Sequence, residues 1–80
     1  MESLRDELLN QTVKFLEICQ TYILDKKINC DVYISMSSFK IQFIENILEE
    51  NLEDYKKNEI NFKKIKNIIS RHKDIIIKHY

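Results

Sequence analysis

Few side chains in this 80-residue chain could do chemistry. They are Cys19 and Cys30, His72 and His79, an acidic run over residues 49–54, and lysines in pairs and clusters. A structural zinc site needs four thiolate or imidazole ligands that converge. Cys19 and Cys30 stand 11 residues apart, and His72 and His79 stand seven apart. Neither pair has the spacing of a zinc knuckle, so both cysteines are read as small apolar fillers and His72 as a residue at the core's edge. Consecutive carboxylates such as Glu49-Glu50 and Glu53-Asp54 face different ways on a helix, which suits a solvated face better than an acid–base pair. There is no glycine-rich phosphate loop, no nucleophile motif and no histidine spaced to meet a base. The expectation is a protein without catalysis, cofactor or metal.

The lysines are the stronger signal. Net charge is zero, yet residues 1–55 hold 5 basic and 11 acidic side chains, and residues 56–80 hold 8 basic and 2 acidic. Such asymmetry points to an anionic partner for the C-terminal part. Lys26-Lys27, Lys56-Lys57 and Lys63, Lys64 and Lys66 could neutralise phosphates and give salt-sensitive, sequence-independent binding. Composition tempers this. Ile, Asn and Lys supply 14, 7 and 11 residues, while Gly, Pro and Ala are absent and Arg occurs twice. A genome rich in A and T would produce the same excess, so the lysines and the missing helix breakers each count for less.

Three helical segments must position these groups. In the first, Leu4, Leu8, Phe15, Leu16, Cys19, Tyr22 and Ile23 recur at three- and four-residue steps, with Ser3 as cap and Asp6 and Glu7 in the first turn. The second runs from about Cys30 to Lys57, capped by Asn29. It carries two apolar stripes: Val32, Met36, Phe39, Phe43 and Ile47, then Ile34, Ile41, Ile44, Leu48, Leu52 and Tyr55. The third follows Asn61 as cap and sets Ile65, Ile68, Ile69, His72, Ile75, Ile76 and His79 on one face. Each link carries one isoleucine, Ile28 or Ile60, close before its Asn cap. A central helix apolar on two sides packs on two sides. Two flanking helices cannot cover both, so a second chain is expected. The whole chain reads as one all-α domain, 1–80. Its charged N-terminus lacks the apolar run of a signal peptide and no stretch could span a membrane, which suggests a reducing, intracellular setting.

Short helix, loop, long helix, loop, short helix is a layout that resembles the histone fold. Within it, the chain is most similar to the centromere protein S family, the larger subunit of the MHF complex. The likeness is carried by Leu-Asn-Gln-Thr-Val-Lys-Phe-Leu (9–16), Leu-Asp-Lys-Lys (24–27), Ser38-Phe39-Lys40, Glu45-Asn46-Ile47, Lys56-Lys57, Ile60-Asn61, and a third-helix pattern of Ile65-Lys66, Ile68-Ile69, Arg71 and Ile75-Ile76. It spans nearly the whole chain, though the central helix is about one turn short and two residues are inserted before Leu24. The centromere protein X family fits the central region almost without gaps, but its third helix is shorter.

The resemblance implies an obligate dimer with a second, centromere-protein-X-like histone-fold chain. The seam would run through Leu8, Phe15, Leu16, Phe39, Phe43 and Ile47, and interfaces of this class bury on the order of 2,000 Å² or more. A second contact at Arg71, His72 and Ile75 would join two dimers into a tetramer. The lysines above would grip duplex or branched DNA by its backbone, in the nucleus, at the kinetochore beside centromere proteins T and W and in repair beside a Fanconi anaemia M-type helicase. Two other readings stay open: a histone-fold scaffold in a TFIID-like or SAGA-like transcription assembly, and a self-associating helical adaptor.

Overall fold

Ser3 sits in extended conformation (φ −73°, ψ 160°) and its hydroxyl accepts the Asp6 N–H at 3.2 Å. That cap opens α1, Leu4–Leu24, and Asp6 and Glu7 lie in its positive first turn. Asn29 caps α2, Cys30–Glu50, in the same way, its Oδ1 accepting from Val32 N–H at 2.9 Å. Both caps agree with the sequence. The turn between them is closed by two reverse bonds, Lys27 N–H to Tyr22 O at 2.8 Å and Lys26 N–H to Ile23 O at 3.2 Å. This pair of bonds is a Schellman ending, and it demands a left-handed residue at Lys26, which adopts φ 59°. The computed structural model describes residues 3–79, with Ile60 by its backbone alone.

The long central helix expected over 30–57 is interrupted. α2 ends at Glu50, Asn51 turns (φ −131°, ψ 31°), and a five-residue α3, Leu52–Lys56, follows before α4, Glu59–His79. No Gly or Pro causes this. The break is held by tertiary contacts, which override local propensity. Tyr55 is drawn into the core, and Arg5 of α1 donates to Asn51 Oδ1 at 2.8 Å. The second link also shifts. Asn58, not Asn61, precedes the last helix, and Asn61 N–H is the donor to Asn58 Oδ1 at 3.4 Å. The Ile60 side chain, expected in that link, lies outside the described residues.

The described residues are all-helical, with no strand. α1, α2 and α4, each of 21 residues, pack on one another around a common core in a body of 37 × 21 × 20 Å. That core is Leu9, Val13, Leu16, Ile41, Ile44, Ile47, Tyr55, Ile65 and Ile68. The inward face of α1 is therefore Leu9, Val13, Leu16 and Gln20, while Leu4 and Leu8, expected in the buried stripe, are exposed. On α2 the inward face is Tyr33, Ser37, Ile41, Ile44 and Ile47. Ile47 thus belongs with Ile41 and Ile44, whereas the sequence pattern groups it with Phe39. The flank that the other helices do not cover is Val32, Met36 and Phe39.

Candidate interaction surface

Phe39 is 83% exposed, the most exposed large apolar side chain among the described residues. One turn toward the start of α2 lie Met36 at 37% and then Val32 at 41%, so i, i+4 and i+7 spacing puts all three on one outward strip. Phe43 continues it toward the core, against which it is half-buried. On α1, Leu8 is 45% exposed and Phe15 is half-buried one period further on. The strips adjoin, because Lys40 Nζ of α2 stands 4.7 Å from the centroid of the Phe15 ring. The Lys40 ammonium thus lies over the Phe15 ring face, a cation–π contact between the two helices. Of the six seam residues read from the sequence, Leu8, Phe15, Phe39 and Phe43 reach this face. Leu16 and Ile47 are buried in the chain's own core. Val32 and Met36 belong on the face and were legible as members of the Phe39 stripe.

The lysines separate into two ends. α1 and α2 run antiparallel, so Lys26 and Lys27 sit at one end of α2 and Lys56 and Lys57 beyond the other, roughly 31 Å apart along a 21-residue helix. Lys63, Lys64 and Lys66, in the first two turns of α4, join the Lys56-Lys57 end. Several of these cations already have neighbours. Lys64 pairs with Glu17 at 3.2 Å and Lys56 with Glu53 at 3.9 Å. Lys66 lies over Phe62 at 5.1 Å and Lys27 over Tyr22 at 5.6 Å. These contacts are at the surface and contribute little individually. They leave a cluster of five lysines at the α3–α4 end and a separate pair at the α1–α2 turn.

Between the helices lies a buried polar set that the sequence pattern did not disclose. Tyr33 OH meets His72 Nδ1 at 2.8 Å, and Gln20 Nε2 donates to Ile68 O at 2.9 Å and, at 3.4 Å, to Tyr33 OH. One residue from each of α1, α2 and α4 is thereby tied at the same level. Burial pushes the Tyr33 hydroxyl up from the usual phenol value and holds His72 below the usual imidazole value, with Glu45 opposing the latter. Gln20 Oε1 is buried without a partner, and Ser37 is fully buried beside Tyr33. The available signal was Gln20 itself, a polar residue at helical spacing from Val13 and Leu16.

His72 is half-buried and turns Nδ1 to Tyr33, Ile75 is half-buried as well, and Arg71 is exposed. Ile75 lines a shallow groove of about 290 Å³ with Ile23, Leu24, Cys30, Lys78 and His79. Of the four zinc candidates, Cys30 and His79 line this groove, while Cys19 lies in the core and His72 meets Tyr33. Cys19 is buried, and burial pushes its thiol up, away from the reactive thiolate. Cys30 opens α2, and His79 Nε2 stands 3.5 Å from Asp31. Among the described residues no three His, Cys, Asp or Glu side chains converge to hold a metal, and no helix is long and apolar enough to cross a membrane. Set against known proteins, the chain matches no family model, no curated protein and no solved structure.

Proposed function

We propose that this chain is a non-catalytic interaction subunit that takes a second helical chain on the α1–α2 face, and that the pair meets the DNA backbone through its lysines. The observation that carries the reading is Phe39, 83% exposed in the middle of α2. Isolated surface leucines and valines are common on any protein, but a phenylalanine flanked by Val32 and Met36, beside Leu8 and Phe15, forms a contiguous apolar strip. Aromatic and methionine side chains are the ones enriched where protein chains meet.

In its finer form the proposal is a histone-fold subunit of the centromere protein S kind, with a centromere-protein-X-like partner. The quoted motifs from residue 9 to residue 76 support it. That form requires α2 and α3 to run on as one rod, which Asn51 interrupts in the isolated chain.

The test is to recover the tagged chain with its stoichiometric small partner, then repeat with Phe39→Glu. Loss of the partner by a variant that melts like the parent supports the seam, and undiminished recovery overturns it. The DNA half is tested separately by duplex binding of the purified pair across a salt series. Binding that weakens steeply with salt, and weakens further in Lys56→Glu/Lys57→Glu, supports backbone contact. A pair indifferent to DNA at low salt favours instead the scaffold reading, for which the internal pairing of Lys64 and Lys56 speaks.

A further inference from the structure

The interruption at Asn51 differs in kind from the other links. Asn51 N–H donates to Ile47 O at 3.0 Å and Tyr55 N–H donates to Asn51 O at 3.2 Å, both ordinary i→i−4 helical bonds. The chain therefore leaves the helix for one residue and re-enters it. The apolar period of α2 also continues across the break through Leu48, Leu52 and Tyr55. Nothing in the local sequence opposes a straight rod, since neither Gly nor Pro is present. The kink is secured from outside, by Arg5 on Asn51 Oδ1 at 2.8 Å and by Tyr55 OH donating to Asp6 Oδ1 at 3.3 Å. Asn51 adds its own side-chain bond to Ile47 O at 3.0 Å. The Arg5 tie is exposed and the other two are half-buried.

We propose that Asn51 is a hinge, and that its straightening turns the closed three-helix bundle into an exchanged dimer of two copies of this chain. With residues 30–56 in one rod, about 40 Å long, α4 is carried off its seat against Leu16 and Gln20 of its own α1. The same helix of a second copy fills that seat. A second copy is the occupant because it alone brings every partner the vacated seat needs: Ile65 and Ile68 for the core, Ile68 O for Gln20, His72 for Tyr33 and Lys64 for Glu17. The closed and exchanged forms share these contacts and differ at the hinge. There the straight form returns the N–H groups of the first α3 turn to the last carbonyls of α2. Exchange of identical elements is a low-cost route to dimers for this reason. The inference uses a different surface from the Phe39 face and stands whether or not that face takes a partner.

The experiment uses the full chain in three forms: wild type, Asn51→Ala and Asn51→Gly. Alanine favours the rod and removes both side-chain ties, and glycine removes the same ties while disfavouring a helix interior. Light scattering on a size-exclusion column reads the dimer across concentrations. The expected result is that Asn51→Ala dimerises at least tenfold more tightly than Asn51→Gly, since each dimer contains two hinges. Exchange is read separately, with Cys30→Ser in every chain, by mixing one population bearing Glu17→Cys with another bearing Lys64→Cys. A short bis-maleimide should join the two populations at dimer-forming concentrations. Equal dimerisation of the alanine and glycine forms, or dimers that never join α1 of one copy to α4 of another, overturns the hinge. Should Asn51→Ala fail to fold, the mixing experiment on otherwise wild-type chains at high concentration decides alone.

Discussion

Tyr33 OH lies 2.8 Å from His72 Nδ1, joining α2 to α4 near the buried end of Gln20. Gln20 Nε2 donates toward the same hydroxyl, and the Tyr33 hydroxyl serves as donor to Nδ1 when the His72 ring carries its proton on Nε2. Burial holds the folded-state value of His72 below that of a free imidazole, Glu45 only partly offsetting it. The unfolded chain therefore binds a proton at higher pH than the folded chain does. Stability is full above about pH 6.5, the unfolded imidazole value, and is lost as pH falls from there toward the lowered folded value. Melting temperature measured between pH 7.5 and pH 5 should drop. His72→Gln, which keeps an acceptor for Tyr33, should flatten that slope. An unchanged slope in the variant would place the acid sensitivity elsewhere.

Tyr33→Phe tests the same bond without a charge. It leaves Nδ1 of a half-buried imidazole without its protein partner, which costs about 1 kcal/mol. For a domain of this size the midpoint of thermal unfolding should fall by roughly 4–8 °C. Gln20→Leu is the contrasting change. It removes the Nε2 bonds to Ile68 O and Tyr33 OH together with a buried, unpaired Oε1, and Tyr33 OH keeps His72, so the expected loss is smaller than for Tyr33→Phe.

The parts of this fold that local chemistry dictates could be read from the residues. Ser3 and Asn29 cap as their types require, and α1 ends at Leu24, just before the polar break read at Asp25. What failed depended on contacts far apart in sequence. The break at Asn51 exists because Arg5, 46 positions away, and the packing of Tyr55 hold it, and no pattern within residues 30–57 records either. The cap moved from Asn61 to Asn58 because both are asparagines within three residues, and the chain reversal selects between them. On α1, Leu8 and Leu9 are adjacent and either could lead the inward stripe. Only the position of α4, with Ile65 and Ile68, turns Leu9 and Val13 inward. Of the candidate surface, the exposed strip was legible as a period, while its division from the core through Leu16 and Ile47 was not.

Lys26 holds a left-handed backbone that a side chain with a Cβ adopts at a cost of roughly 1 kcal/mol or more. Glycine has no such penalty, and the two Schellman bonds around Lys26 use only its main chain and that of Lys27. Lys26→Gly should therefore stabilise the fold by about 1 kcal/mol, raising the melting midpoint by roughly 4–8 °C. The same variant removes one of two lysines at that end of the molecule. If Lys26 contacts a phosphate in the DNA-bound pair, the plot of log affinity against log salt should become shallower by about 0.9. A more stable protein that binds DNA less salt-dependently would separate the two effects in one substitution.

Leu16 and Phe39 give the most direct division between what the chain keeps for itself and what it offers. Leu16 is fully buried among Val13, Ile44 and Ile68, whereas Phe39 is 83% exposed. Leu16→Ala removes apolar area and leaves a cavity, a loss of about 2–5 kcal/mol. Total stability for 80 residues is on the order of 4–12 kcal/mol, so that variant should be severely destabilised or unfolded in denaturant titrations of the isolated chain. Phe39→Ala should shift the same titration by no more than about 0.5 kcal/mol, because a solvated ring has little to lose. The ranking reverses when a partner chain is read out, where the exposed aromatic is the residue positioned to anchor the contact. If Phe39→Ala destabilises the isolated chain as much as Leu16→Ala, the two residues share one core and the exposed strip on α2 is not a free surface.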